Sequence, residues 1–502
     1  MRGVAVAALV AATMVIGVGW GTFAAGGSDS FCYLRQAQRW ASGELQVVSP
    51  LALEAPWPNA PLTFAPAGHI PSPTVPGAIV PICPAGLSLA MAPFIAIGGN
   101  TAAFLVVPLF GALLVGATYA AGARFGPRVG LASALVTAAS PVVLYQLVQP
   151  MSDVPAAALW MTAVAAATSS RPGGARWAGV AAGAAIVIRP NLVFLAVPLG
   201  AFILCRPERA AGRRLADGAA FGIGVLAGCA VVALVNQAFY GAPLRSGYGP
   251  LAALFDAGHV VPNARRYAAW LTEAQTPAWL LAAAAPVLLP GLLSGVFAAL
   301  VLVNAACYLP YTVFEDWSYV RFLLPTLPLL LILMVASLDS ICRRLVPWTA
   351  RPIIGIVAIV LALAGVREAD MRQAFRLHVL ESRYPRTGMF VAQRFPENTL
   401  VITSSHSGSI RFYSGRPTVA WDALDPDWLD RAIAFLRARG FQPLLVFESW
   451  EEPLFRQRFR TSALGRLDWP PAAEVAARVR VYRPEDREKY RAGMQAPTEY
   501  VP

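Results

Sequence analysis

Residues 129–169 read VGLASALVTAASPVVLYQLVQPMSDVPAAALWMTAVAAATS, and one residue in the whole stretch, Asp153, is charged. A helix needs about twenty apolar residues to cross the hydrocarbon core of a bilayer. The runs 129–148 and 154–169 meet that need closely, and only the turn 149–153 separates them. Two crossings joined by a turn this short form a helical hairpin, and its carboxylate emerges at one membrane face.

The same pattern extends in both directions. Residues 3–25 and 101–123 are apolar runs before the hairpin. After it come 177–189, 191–205, 215–239, 277–290, 291–313, 322–341 and 351–366. The expectation is roughly eleven transmembrane helices. Of the 502 residues, 57% are hydrophobic and 14% charged, against about a quarter charged in soluble proteins. The deficit is uneven. Residues 1–366 hold the long apolar runs, with a large first external loop at 26–100, while 367–502 have ordinary polar composition. The expected fold is therefore an α-helical polytopic membrane protein with a C-terminal soluble α/β domain.

Orientation follows from arginines in short loops, which favour the cytoplasmic side. Arg2, Arg124, Arg128, Arg171, Arg176, Arg206, Arg209, Arg213, Arg214, Arg343, Arg344 and Arg351 share one side if the N-terminus is cytoplasmic. The C-terminal domain is then extracytoplasmic, as for a multi-pass protein of the inner (plasma) membrane. The first run also reads as a signal peptide cleaved near Ala24-Ala25, but it is long for that.

The net charge of +12 does not indicate nucleic acid, because the arginines sit at loop ends rather than on one basic stripe. Gly222-Ile223-Gly224 with Gly228 lies inside an apolar span, where helix packing explains small residues. No phosphate-cradling glycine loop follows a strand. No CxxC and no metal-ligand spacing of histidines occurs, so no metal ligand and no cofactor is assigned, and a divalent ion remains open. Cys32 and Cys83 share the first external loop. They pair if that compartment is oxidising, with two free thiols as the alternative.

The span interiors carry almost no ionisable groups, which argues against ion-coupled transport. Polar information gathers outside. Gly26-Gly27-Ser28-Asp29-Ser30 precedes an amphipathic stretch, Phe31–Trp40, and Asp29 reads either as a helix cap or as an acid held at headgroup depth. Asp153, before a helix with Pro155 in its first turn, reads the same two ways. Paired acids at one interface suit general-base chemistry on a hydroxyl. Arg189 and Arg321 stand at external span ends, where guanidinium either snorkels to headgroups or grips a phosphate by charge-assisted bonds.

These pieces resemble the GT-C superfamily of membrane glycosyltransferases, the group of dolichyl-phosphate-mannose–protein mannosyltransferases and bacterial aminoarabinose transferases. The resemblance covers roughly residues 5–340. It rests on Asp29 with Tyr33 and Ala37, Cys83-Pro84-Ala85-Gly86 and Ser140-Pro141. It continues through Asp153, Asn236…Tyr240-Gly241 with Ser246-Gly247-Tyr248-Gly249, and Arg321-Phe322-Leu323-Leu324-Pro325. It implies a polyprenyl-phosphate sugar donor, a hydroxyl acceptor on a glycan, lipid or protein, and a single displacement with inversion. Asp29 takes the place of the general base and Asp153 that of the second acid. Arg189 and Arg321 are assigned to the leaving phosphate, and Tyr33 and Tyr248 to substrate contacts. Many members have Asp-Glu where this chain has Asp29-Ser30, which weakens any transfer of metal binding. The rival expectations are a flippase for a lipid-linked saccharide and a non-catalytic envelope assembly protein.

In the tail, strands are expected at 399–403, 417–421, 444–447 and 479–482. Asp425-Pro426 is expected to start a helix ended by Gly440, and Ser449 with Glu452 has capping-box spacing. The Ser404–Ser409 run reads as a polar loop with no acid placed to complete a triad.

Overall fold

Apolar runs fold as helices because a helix satisfies its own backbone donors and acceptors where water cannot. A computed structural model describes residues 2–494 and 497–502. The chain forms two compact units: Met1–Gly21, Pro84–Val235 and Gly249–Leu377 in one, Thr22–Cys83, Asn236–Tyr248 and His378–Pro502 in the other. These limits cut across a simple division into 1–366 and 367–502.

In the helical unit each expected run contains helix, but several are broken and the first, expected over 3–25, ends at Gly19. Pro141 has no N–H and its ring clashes with the preceding turn. The 129–148 run accordingly splits into Pro127–Ala138 and Pro141–Leu147, bent by 57°. Pro325 and Pro328 act on the 322–341 run, where the 3-10 helix Trp317–Leu323 meets Leu327–Leu345 at 82°. The 191–205 run opens as a 3-10 helix, Pro190–Leu195, before Ala196–Leu204. The 277–290 run is mostly 3-10, Pro277–Ala284.

Among the described residues, three helices are long and apolar enough to cross a membrane: Ala85–Ala103, Ala211–Tyr240 and Pro352–Met371. Counting each bent pair as one span gives five. The remaining apolar helices have 10–17 residues, or roughly 15–26 Å at 1.5 Å per residue. Helix length thus does not reproduce the eleven crossings expected from apolar runs. It also adds Ala85–Ala103, which falls mostly within the stretch read as an external loop and is kinked at Gly99 (φ 70°).

Close helix crossings fall at glycines. A side chain on Gly224 would meet the Gly179 backbone, and one on Gly228 the Gly183 backbone, so Gly174–Ile188 and Ala211–Tyr240 touch main chain to main chain. Gly222 faces open space.

The second unit is built on a six-stranded mixed sheet. Its order is Thr418–Val419, Thr399–Ile402, Gln442–Glu448, Val479–Tyr482, Ala473–Val475 and Glu499–Val501. The Thr399–Ile402 strand pairs in parallel with both neighbours, and Val479–Tyr482 pairs antiparallel with both of its own. Four strands were expected from sequence; the last two in that order were not.

Two helix starts differ from expectation. The helix after Asp425 begins at Leu429, and Asp425 instead accepts a bond from the Asp427 N–H (3.0 Å) in a turn. The helix Glu451–Arg458 has no side-chain cap from Ser449 or Glu452. Its Glu451 turns back, accepting from the Glu448 N–H (2.9 Å) and the Ser405 N–H (3.0 Å).

Residues 22–83 are an integral layer of this unit. Ala52, Trp57, Ala60 and Phe64 share one buried cluster with Leu400, Ile402, Leu445, Phe447, Phe455 and Phe459. The Ala420 N–H donates to the Thr63 carbonyl at 2.7 Å. A small antiparallel sheet of Val47–Val48, Ala78–Pro81 and His69–Pro71 completes the layer.

Candidate active site

In the helical unit three of the residues singled out from sequence converge. Asp153 opens the helix Asp153–Ala167, and neither it nor Ser152 makes a side-chain cap bond there. Its carboxylate, 1% exposed, turns to Arg189 instead, with Nη2 to Oδ1 at 2.5 Å. Arg321 Nη1 stands 3.9 Å from the other carboxylate oxygen. The cap alternative for Asp153 is therefore not what this carboxylate does.

Local sequence explains how the two arginines arrive. A residue before proline is pushed out of the helical region. Arg189, before Pro190, is extended (φ −143°, ψ 94°) between the helix Gly174–Ile188 and the 3-10 helix Pro190–Leu195. Arg321 rides on Trp317–Leu323, whose start is capped by Asp316 accepting from the Ser318 N–H at 2.8 Å.

An aromatic cluster frames both guanidiniums. The Phe322 ring lies 6.0 Å from the Arg189 guanidinium and 5.6 Å from that of Arg321, and the Tyr319 ring 5.2 Å from the latter. Phe322 stacks on Tyr308, and Tyr319 on Phe314. Buried Asn304 holds the Phe322 carbonyl (3.2 Å) and the Thr326 hydroxyl (3.1 Å). Arginines stacked on aromatic faces keep their outward N–H groups in a fixed direction. These aromatics were not read from sequence, although Tyr308, Tyr311 and Phe314, then Tyr319 and Phe322, recur every three residues.

A cavity of about 240 Å³ elsewhere in this unit is lined by Val136, Ser140, Gln275, Gly365 and Glu368, with the Gln275 amide donating to the Ser140 hydroxyl at 2.6 Å. None of the three converging residues lines it.

Asp29, Tyr33 and Tyr248 belong to the second unit. Asp29 opens the helix Asp29–Ala41, where Ser28 makes no cap bond to the backbone, its hydroxyl lying 3.3 Å from Asp29 Oδ1. The two glycines before it are required. A side chain on Gly26 would collide with Tyr384 and Glu381, and Gly27 has φ +56°, a region that favours glycine. The Ala25 N–H donates to the Tyr413 hydroxyl at 2.8 Å.

Behind this turn lies a buried ionic network. Arg383 bonds Glu448 (2.5 Å) and Glu381 (3.0 Å), and His406 Nε2 is 3.1 Å from Glu448. Burial alone would raise the Glu448 carboxyl, but His406 and Arg383 hold it below the usual range. Burial pushes Glu381 up, against the pull of Arg383. Ser409 Oγ lies 3.4 Å from His406 Nδ1, so Glu448 is the acid partner that the Ser404–Ser409 run lacked in sequence. Ser409, His406 and Glu448 are all buried.

Tyr33 is buried within its helix, while Tyr248 is exposed. Cys32 and Cys83 form a disulfide with Cα atoms 6.3 Å apart. Among the described residues no group of three His, Cys, Asp or Glu side chains is placed to hold a metal ion.

No protein-family model matches this sequence, and no curated protein matches it. Solved structures do. ArnT from Cupriavidus metallidurans bound to undecaprenyl phosphate aligns over 95% of this chain and 97% of its own, at 13% identity and a TM-score of 0.57. The archaeal oligosaccharyltransferase AglB from Archaeoglobus fulgidus, in complex with an inhibitory peptide and a dolichol-phosphate, aligns over 92% of this chain and 71% of its own. Its identity is 12% and its TM-score 0.52. Both are GT-C glycosyltransferases, and the fold of this chain is theirs.

Proposed function

We propose that this chain uses the GT-C fold to transfer a sugar from a polyprenyl-phosphate donor to a hydroxyl acceptor at the extracytoplasmic membrane face. The observation that carries the reading is the cluster in which Asp153 fixes Arg189 at 2.5 Å with Arg321 beside it. Two oriented guanidiniums at helix ends suit a departing phosphate, whose charge grows as the bond to the sugar breaks. The ArnT and AglB structures hold undecaprenyl phosphate and dolichol-phosphate, which supports the lipid carrier.

In the proposed step Asp29 takes the acceptor hydroxyl proton. The freed oxygen attacks the anomeric carbon, and the carbon–oxygen bond to phosphate breaks with both electrons leaving on phosphate. A single displacement inverts the anomeric centre. Positioning supplies several kcal/mol, and a general base typically adds about 10²–10⁴-fold. Asp153 serves as the anchor of the phosphate-binding arginines. Tyr33 and Tyr248 are weaker candidates for substrate contact. The acceptor is a glycan, lipid or protein, and no resident cofactor is required.

The test uses purified protein in lipid nanodiscs with polyprenyl-phosphate sugars, with transfer followed by mass spectrometry. Asp29→Asn should insert, fold and lose transfer by at least about a hundredfold. Full transfer by that variant would remove Asp29 as the base. Activity that survives EDTA is expected; loss restored only by a divalent ion would add a metal to the scheme.

A further inference from the structure

A small cleft in the second unit gathers cations with few acids to balance them. Arg35, Gln36, Arg39 and His69 line it together with Arg411 of the helix Ser407–Ser414, and its volume is about 40 Å³. Arg35 and Arg39 are one turn apart on Asp29–Ala41 and so share a face. Arg411 binds neutral groups, with Nε to Thr418 Oγ1 at 2.7 Å and Nη2 to the Thr418 and Phe64 carbonyls at 2.8 and 2.7 Å. Arg35 donates to Gln38 Oε1 at 3.0 Å. Arg39 pairs with Glu44 at the exposed edge. Among the described residues no carboxylate pairs with Arg35 or Arg411.

A second observation points into the same cleft. Gln36 is 3% exposed, and its amide Nε2 has no hydrogen-bond partner among the described residues. A buried donor left unsatisfied costs about 1–3 kcal/mol, and like charges repel more strongly away from bulk water. The strain shows locally. Burial, with Arg35 nearby, draws the Arg411 pKa down to about 10. Burial, reinforced by the three arginines, draws His69 down to about 3, which keeps that ring neutral.

Three guanidiniums set against Glu44 leave two positive charges, which one dianion neutralises. The volume corresponds to about three or four waters at 10–15 Å³ each, enough for an oxoanion head and too small for a sugar ring. Guanidiniums bind such heads in bidentate fashion.

We propose that this cleft is a binding site for one phosphate monoester, held by Arg35, Arg39, Arg411 and the Gln36 amide. It lies in a different unit from the Asp153–Arg189–Arg321 cluster. If the transferase reading holds, the phosphate is a recognition group on the acceptor, distinct from the reacting hydroxyl. The binding site itself does not depend on that reading.

The experiment titrates inorganic phosphate into the full chain in zwitterionic-lipid nanodiscs at constant ionic strength, with chloride as the control. Line broadening in ³¹P spectra and thermal shift give the affinity. Saturable binding is expected, weakened about tenfold or more by Arg35→Gln and by Arg39→Gln, with Asp29→Asn binding like the parent. Loss of transfer and loss of anion binding are thereby read separately. Should Arg411→Gln fail to fold, Arg411→Lys, which keeps the charge but not the fork, should bind more weakly. Nanodiscs containing a phosphatidic acid distinguish the source: competition with phosphate identifies a lipid headgroup, and its absence excludes that headgroup, after which a soluble sugar phosphate is the competitor that tests a glycan source. No saturation beyond the chloride control, or unchanged affinity in both Arg35→Gln and Arg39→Gln, overturns the proposal.

Discussion

Asp153 is sequestered by Arg189, and the consequence of breaking that pair has a sign and a size. A buried cation left without its carboxylate is costly, about 3–5 kcal/mol when one partner alone is removed. Asp153→Ala should therefore lower the thermal midpoint of the purified protein sharply, and Asp153→Ala with Arg189→Ala should recover much of the loss. Equal midpoints for the single and double variants would show that an orphaned Arg189 cation is not the source of the loss. His69 gives a second expectation. Its folded pKa is depressed from 6.5 to about 3, so the unfolded chain binds the extra proton first. The stability linked to His69 is intact above about pH 6.5 and declines as the pH falls from there toward 3. His69→Asn should flatten that part of the stability–pH curve relative to the parent. At this scale the sequence showed which groups were unusual but not their partners. Asp29 and Asp153 each read as cap or acid, because capping and ion pairing use the same residue type at the same helix position. Only the neighbouring chain decides between them.

Among elements, the glycines of Gly174–Ile188 and Ala211–Tyr240 bring two backbones into contact. Gly183→Val or Gly224→Val should push these helices apart at about 1–3 kcal/mol, read as lower thermal stability in detergent. Gly222→Ala, facing open space, should change nothing. The packing reading of the glycine run holds for Gly224 and Gly228 and fails for Gly222. Pro141 and Pro190 explain a bend and an extended Arg189, although the 129–148 run was expected as one unbroken crossing. The bend angles were not legible, because they depend on which neighbour receives the freed carbonyls. Helix starts in the tail were overread: Asp425 and the Ser449–Glu452 pair have the right spacing, yet Arg456, Arg480 and Tyr482 claim Glu452 and a local turn claims Asp425.

For the whole molecule, the first loop and the tail share one core. Truncation after Leu377 should leave Trp57 and Phe64 uncovered, so the shortened protein should aggregate or be degraded instead of persisting as a membrane fragment. A stable, monodisperse fragment would show that residues 22–83 fold without the tail. Replacing Cys32 and Cys83 by serine should cost about 2–4 kcal/mol, as expected for a bond closing a loop with a sequence separation of 51. The orientation inferred from arginines predicts that a reporter fused after Val366 reports the extracytoplasmic side. The helix Ala85–Ala103 makes that test sharp, since one additional full crossing there would reverse every later loop.

Composition alone determined that there is an apolar helical part and a polar α/β part, because the cost of exposing backbone to lipid and the periodicity of strands are written into local sequence. Arginine placement sets an expected orientation for the same local reason. Which residues meet was decided by tertiary structure. Asp153, Arg189 and Arg321 are scattered through the chain, and so are Trp57 and Phe447. Their encounters depend on the angles of helix bends and on a sheet that recruits a distant loop, and no local pattern encodes either one.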